Sequence, residues 1–137
     1  MIIVVDTNIV FSALLSHNSA ILQTLLRKEY EFVSPSFIFV ELFKYKEKIL
    51  RHSKLTETEL LELMTEVVSR VKFISHDFIS AENLSKAIGL CKDIDIKDTV
   101  FVALAIELNA ALWTGDKGLK AALNIKGFDQ FFSNKIE

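Results

Sequence analysis

The chain has 137 residues, of which half are hydrophobic and eleven are Phe, with only one Pro and four Gly. That fits a single domain with a substantial core and argues against long linkers, repeats or low-complexity tracts. A net charge of −2 gives no global case for a polyanion partner, though a local basic patch would suffice. No apolar run is long enough to span a bilayer, the N-terminus lacks the basic start of a signal peptide, and a lone Cys91 allows no intramolecular disulfide; a reducing cytoplasm is the simplest expectation.

Ile2 to Val5 is aliphatic throughout, which suits a strand buried on both faces. Asn18-Ser19 offers a helix start before Ile21, Leu22, Leu25 and Leu26, which share one helical face. Phe32-Val33 reads as a short strand, followed by Ser34-Pro35 as N-cap and first residue of a helix reaching about Leu50. That helix is expected to bury Phe37, Ile38, Val40, Leu42 and Phe43 in part. Thr56 with Glu59 forms a capping box opening a helix through Leu60, Leu61, Leu63, Met64, Val67 and Val68. Val71 to Ile74 is a further strand. Ser80 caps a helix to about Cys91, and Asp95 caps the next, which runs to about Asn109. Ala111 to Thr114 is another apolar strand, and Asp116 caps a short helix from Lys117 to about Leu123. Phe128, Phe131 and Phe132 predict a tail that packs. Alternating strands and helices give an α/β fold with a mainly parallel sheet flanked by helices. Function in such sheets gathers beyond the carboxyl ends of the strands.

Four acids stand beside segments that should be core. Asp6 ends the first strand, Glu41 lies in Phe37-Ile38-Phe39-Val40-Glu41-Leu42, Asp98 precedes Val100 to Ile106, and Asp116 follows Ala111-Leu112-Trp113-Thr114-Gly115. Burying a carboxylate is costly without a proton, a hydrogen bond or a cation. Each acid alone has a plainer explanation. Asp98 and Asp116 would favour helix starts, Asp6 could accept backbone N–H groups in a turn, and Glu41 could be solvated. Together they suggest a shared hard cation, Mg2+ or Mn2+. His17, His52 and His76 stand apart and make no zinc cluster; His17 and His76 are expected to be solvated. Gly89, Gly115, Gly118 and Gly127 form no phosphate-binding fingerprint.

The motif Asp6-Thr7-Asn8 after an N-terminal strand resembles the opening of the PIN-domain ribonucleases. Asp98-Thr99-Val100-Phe101-Val102-Ala103-Leu104-Ala105 resembles that family's helix with the third acid, and Leu112-Trp113-Thr114-Gly115-Asp116-Lys117 its strand ending in Thr-x-Asp. Glu41 before Leu42 matches the usual place of the second acid, with Glu47 as a rival. The standalone size resembles the VapC toxins of toxin–antitoxin pairs. The resemblance implies a metal-dependent endoribonuclease with Asp6, Glu41, Asp98 and Asp116 as catalytic acids. Asp6, Asp98 and Asp116 would hold Mg2+ or Mn2+. Thr7, Asn8 and Thr114 would support the site, and Asp95 would line it or only cap its helix. It also implies an RNA substrate, an antitoxin partner and a homodimer. Lys44 to Lys54 holds five positive charges and one negative. Lys44, Lys48 and Arg51, with Lys117 and Lys97 beside the acids, could contact an RNA backbone; a solvated helix face is the bland alternative. Two other classes compete: a non-catalytic RNA- or protein-binding module on the same scaffold, and phosphoryl transfer through an aspartate. For the latter, Asp6-Thr7-Asn8 lacks a second acid.

Overall fold

Ile2–Val5 forms the expected strand, β1, and its alternate side chains feed two different cores. The computed structural model describes residues 1–15 and 20–133. After β1 come α1 (Thr7–Leu15), α2 (Ala20–Leu25), β2 (Glu31–Pro35), α3 (Ile38–Ser53) and α4 (Glu57–Arg70). The chain continues through β3 (Val71–Ile74), α5 (Ala81–Cys91), α6 (Thr99–Leu108), β4 (Ala111–Trp113) and α7 (Lys117–Ile125). The Asn18-Ser19 helix start and His17 lie outside the described residues.

The four strands form one parallel sheet in the order β3-β2-β1-β4. Val4 pairs with Val33 on one side and with Leu112 on the other. The chain therefore builds outward from β1 through β2 to β3, then crosses back to place β4 beside β1. The strand order reverses between β1 and β4, and a crevice opens at their carboxyl ends.

Helices cover both faces, as buried parallel strands require. Ile3, Val5, Phe32 and Trp113 pack with Ile9, Ala13 and Leu14 of α1, Leu25 of α2, Ile38 and Ile49 of α3, and Leu60 and Val67 of α4. Val4, Val33 and Leu112 pack with Ala87 and Cys91 of α5, Val102 and Leu104 of α6, and Leu119 and Leu123 of α7. The tail packs as expected: Phe132 meets Trp113 with ring centroids 5.2 Å apart, and the Phe132 amide donates to the Leu112 carbonyl. Cys91 is a buried hydrophobe, and His76 is exposed. Among the described residues, no helix is long and apolar enough to cross a membrane.

Several local expectations hold. Thr56 and Glu59 form the capping box, and Ser80 caps α5 through the Asn83 amide. The start of α3 differs. Pro35 ends β2, paired with Ile74, rather than opening a helix, and the Ser34 hydroxyl donates to the Val5 carbonyl at 3.0 Å rather than capping. Pro at a strand end suits its missing N–H. The helix begins at Ile38 after a turn at Ser36-Phe37, with no side-chain cap. The helical period sets which residues face inward, so the expected burial holds for Ile38 and Leu42 but not for Val40 and Phe43, which are 58% and 82% exposed. Leu61 of α4 likewise faces solvent. Helix α1 was not anticipated, because nearly all of Ile9 to Leu15 is apolar and shows no helical period.

Candidate metal and nucleic-acid site

The crevice is built from helix starts. Asp6 follows β1, and its Oδ1 accepts from the Ile9 amide at 3.0 Å, opening α1. Its own amide donates to the Trp113 carbonyl at 3.2 Å, which fixes it to β4. Asp116 Oδ1 accepts from the Leu119 amide at 3.0 Å and opens α7. The local reading of these two acids as helix starters is thus also true. Asp98 is different. Asp95 caps a single 3-10 turn, Ile96–Asp98, through the Lys97 amide at 2.9 Å. Asp98 then stands at the N-cap of α6 but makes no capping bond with its side chain. So Asp98 is an acid in the first turn after the Asp95 cap, as expected, but it sits just before α6 rather than inside it. Helices α1, α6 and α7 thus each begin at one of the three acids, where a helix N-terminus favours negative charge.

Two hydroxyls tie the acids together. Thr7 Oγ1 donates to Glu41 Oε1 at 2.9 Å, joining α1 to the first turn of α3. Glu41 was expected mid-helix; the later start of α3 puts it at the mouth instead. Thr114, fully buried, bonds the Asp6 carboxylate with its side chain and accepts from the Asp116 amide at 3.2 Å. Thr-x-Asp is therefore a link between two acids as well as a turn.

The acids feel one another. Burial and then the neighbouring charges of Asp95, Asp6, Asp116 and Glu41 push the Asp98 carboxyl up to about 6. Burial also raises Asp6, with Asp116 adding to the rise and bonds from Thr114 and the Ile9 amide opposing it. Among the described residues, the ion pairs lie elsewhere, and none compensates Asp6, Glu41, Asp98 or Asp116.

A cavity of about 390 Å³ opens over this cluster, lined by Asp6, Glu41, Asp95 and Asp98 together with Thr7 and Asn8. Lys48 and Lys97 line it too, whereas Lys44, Arg51, Lys117 and Glu47 do not. Asp116 is exposed outside the lining and acts on Asp6 and Asp98 through its charge. Asp95 both caps its turn and lines the wall. The sequence reading missed Phe11, Tyr45, Ile49, His52 and Phe101, which also line the cavity. The spacing Glu41, Tyr45, Lys48, His52 follows one helical face and was the available signal.

Among the described residues, no group of three or more His, Cys, Asp or Glu side chains forms a ready cage for an ion. The donors are nonetheless all hard oxygens. Magnesium commonly takes only one or two carboxylates, with waters and substrate phosphates filling the rest. The residues therefore fit a hard divalent ion by chemistry and charge, without a closed protein shell.

The chain thus combines a parallel α/β sheet with a carboxylate-rich crevice at its switch point. The profile of the PIN domain family matches residues 4–130, and the chain belongs to that family. No curated protein matches it. Among solved structures, it is similar to the crystal structure of VapBC2 from Rickettsia felis bound to a DNA fragment from their promoter. The likeness covers 89% of this chain and 93% of that one, at 23% identity and a TM-score of 0.65. It establishes a shared fold.

Proposed function

We propose that the protein is a metal-dependent endoribonuclease in which Asp6, Asp98 and Asp116 hold Mg2+ or Mn2+ and Glu41 completes the site. We further propose that its 137 residues act as one nuclease domain, the toxin of a toxin–antitoxin pair, working in the cytoplasm as a homodimer controlled by an antitoxin. Membership of the PIN domain family supports the nuclease reading. A fold shared with a VapBC2 structure motivates the partner. The observation that carries the proposal is the meeting of distant acids around one crevice, none neutralised by a cationic side chain among the described residues.

When bound, the ion would polarise a phosphoryl oxygen and make the attacking water more acidic. The chain's own groups do the positioning. Thr7 holds Glu41 in place, Thr114 holds Asp6 against the Asp116 turn, and the starts of α1, α6 and α7 stabilise the negative charge. Asn8 supplies a polar side chain to the wall, and Lys48 and Lys97 offer cations to phosphate there. The test is RNA cleavage with Mg2+, Mn2+ or EDTA, alongside Asp6→Asn. The wild type should cleave only with a divalent ion, and Asp6→Asn should lose at least about 10²-fold while staying folded. Full activity of that variant would reject the mechanism.

A second reading, a non-catalytic RNA- or protein-binding module, draws on the lack of a ready three-ligand cage among the described residues. It predicts RNA or protein binding with no cleavage under any divalent ion.

A further inference from the structure

We propose that the cavity also holds a slot for one unpaired nucleobase of single-stranded RNA, seated on the Phe11 and Tyr45 rings beside the acids; this rests on the ribonuclease reading above. Helices α1 and α3 both present polar side chains to the acid cluster from their first turns. Thr7 and Asn8 begin α1, and Glu41 lies in the first turn of α3. One turn further along each helix stands an aromatic residue, Phe11 and Tyr45, and both line the same cavity. The rings meet edge to face, with centroids 5.8 Å apart and planes at 79°. Both pack against the core yet stay partly exposed, and both line the cavity.

Charge identifies the occupant. An apolar peptide side chain would need only the rings. Here Lys48, two turns beyond Glu41, lines the cavity with Lys97, and Lys44, outside the lining, sets its ammonium 5.4 Å from the centre of the Tyr45 ring. Acids that want a cation, then aromatic faces, then ammonium groups match a strand whose phosphates flank a base. Stacking of this kind tolerates any base and demands one free of its own stack. Duplex RNA cannot offer such a base without unpairing.

The experiment is fluorescence anisotropy with a labelled twelve-nucleotide single-stranded RNA, the same sequence as a duplex, and copies carrying one abasic residue at successive positions. Binding is read in EDTA, so that no cleavage intervenes. Tyr45→Leu keeps apolar bulk and removes the ring; Tyr45→Phe keeps the ring. Tyr45→Leu should weaken single-strand binding by about 5–150-fold, while Tyr45→Phe stays within about 2-fold and duplex binding does not move. For the wild type, one abasic position should reproduce the loss, and in Tyr45→Leu that position should add nothing. Equal affinity of Tyr45→Leu and wild type, equal loss on duplex, or no single-strand binding by the wild type would each overturn the slot. Cleavage with Mg2+ is scored separately: RNA cut normally by Tyr45→Leu with unchanged affinity sinks the slot alone, and Tyr45-dependent binding without any cutting sinks the nuclease alone.

Discussion

Replacing Asp98 by Asn should stabilise the protein when no divalent ion is present. In the fold its carboxyl titrates at about 6 instead of 3.8, first through burial and then through Asp95, Asp6, Asp116 and Glu41. Between those values the folded chain holds a proton that the unfolded chain has released. Stability at this position is therefore fully present below 3.8 and lost as pH rises through about 6. A shift of that size corresponds to about 3 kcal/mol for a fully buried group. Asp98 is only half-buried, and solvent screening reduces this to about 1–2 kcal/mol. In EDTA at pH 7.5, Asp98→Asn should thus be about 1–2 kcal/mol more stable to urea, or about 4–8 °C higher in Tm. The gap should close below pH 4. Mg2+ at a hundred times its Kd should add about 2.7 kcal/mol to the wild type and much less to the variant. A variant that is equal or weaker at pH 7.5, or a gap that ignores pH, would refute the reasoning.

Three further outcomes follow from the same geometry. Thr7→Val removes the hydroxyl that holds Glu41, a bond to a charged group worth about 1.5–3 kcal/mol; kcat should fall about 10–150-fold, with Thr7→Ser close to wild type. Lys48→Glu with Arg51→Glu should weaken RNA binding and flatten the plot of log affinity against log salt by about 1.4, the share of two single-strand phosphate contacts; an unchanged slope removes both residues from the RNA path. Phe132→Ala should lower stability by about 3–5 kcal/mol in urea titrations, since its ring packs on Trp113 and Tyr30; a loss under 1 kcal/mol would show that the tail contributes little to the core.

What the sequence made legible was local. Strands β1 and β3, the Thr56–Glu59 capping box and the Ser80 cap depend on residues a few positions apart, and they stand where local rules put them. Ser34-Pro35 has an equally good local signature, yet Ser34 bonds to Val5, 29 residues away, and the helix starts later. Glu41 moved from mid-helix to the mouth for the same reason. Helix α1 escaped notice because its cap, Asp6, also reads as a site acid and its apolar residues lack a stripe. The acids, and Thr7 and Thr114 beside them, could be named from their neighbours and motifs, but not the bonds those hydroxyls make. Thr7 to Glu41 spans 34 residues, and such a pairing has no signature in a single sequence. Tyr45 and His52 share the helix face of Glu41, but among the charges of Lys44 to Lys54 nothing local marks them as cavity residues.

The central claim is that Asp6, Asp98 and Asp116 together take up a hard divalent ion. Calorimetric titration of Mn2+ into the wild type and into Asp6→Asn and Asp98→Asn tests it most directly. Saturable binding to the wild type, lost or at least tenfold weaker in each variant, is the predicted result. A wild type that releases no binding heat, or variants that bind the ion as tightly as it does, would contradict the account.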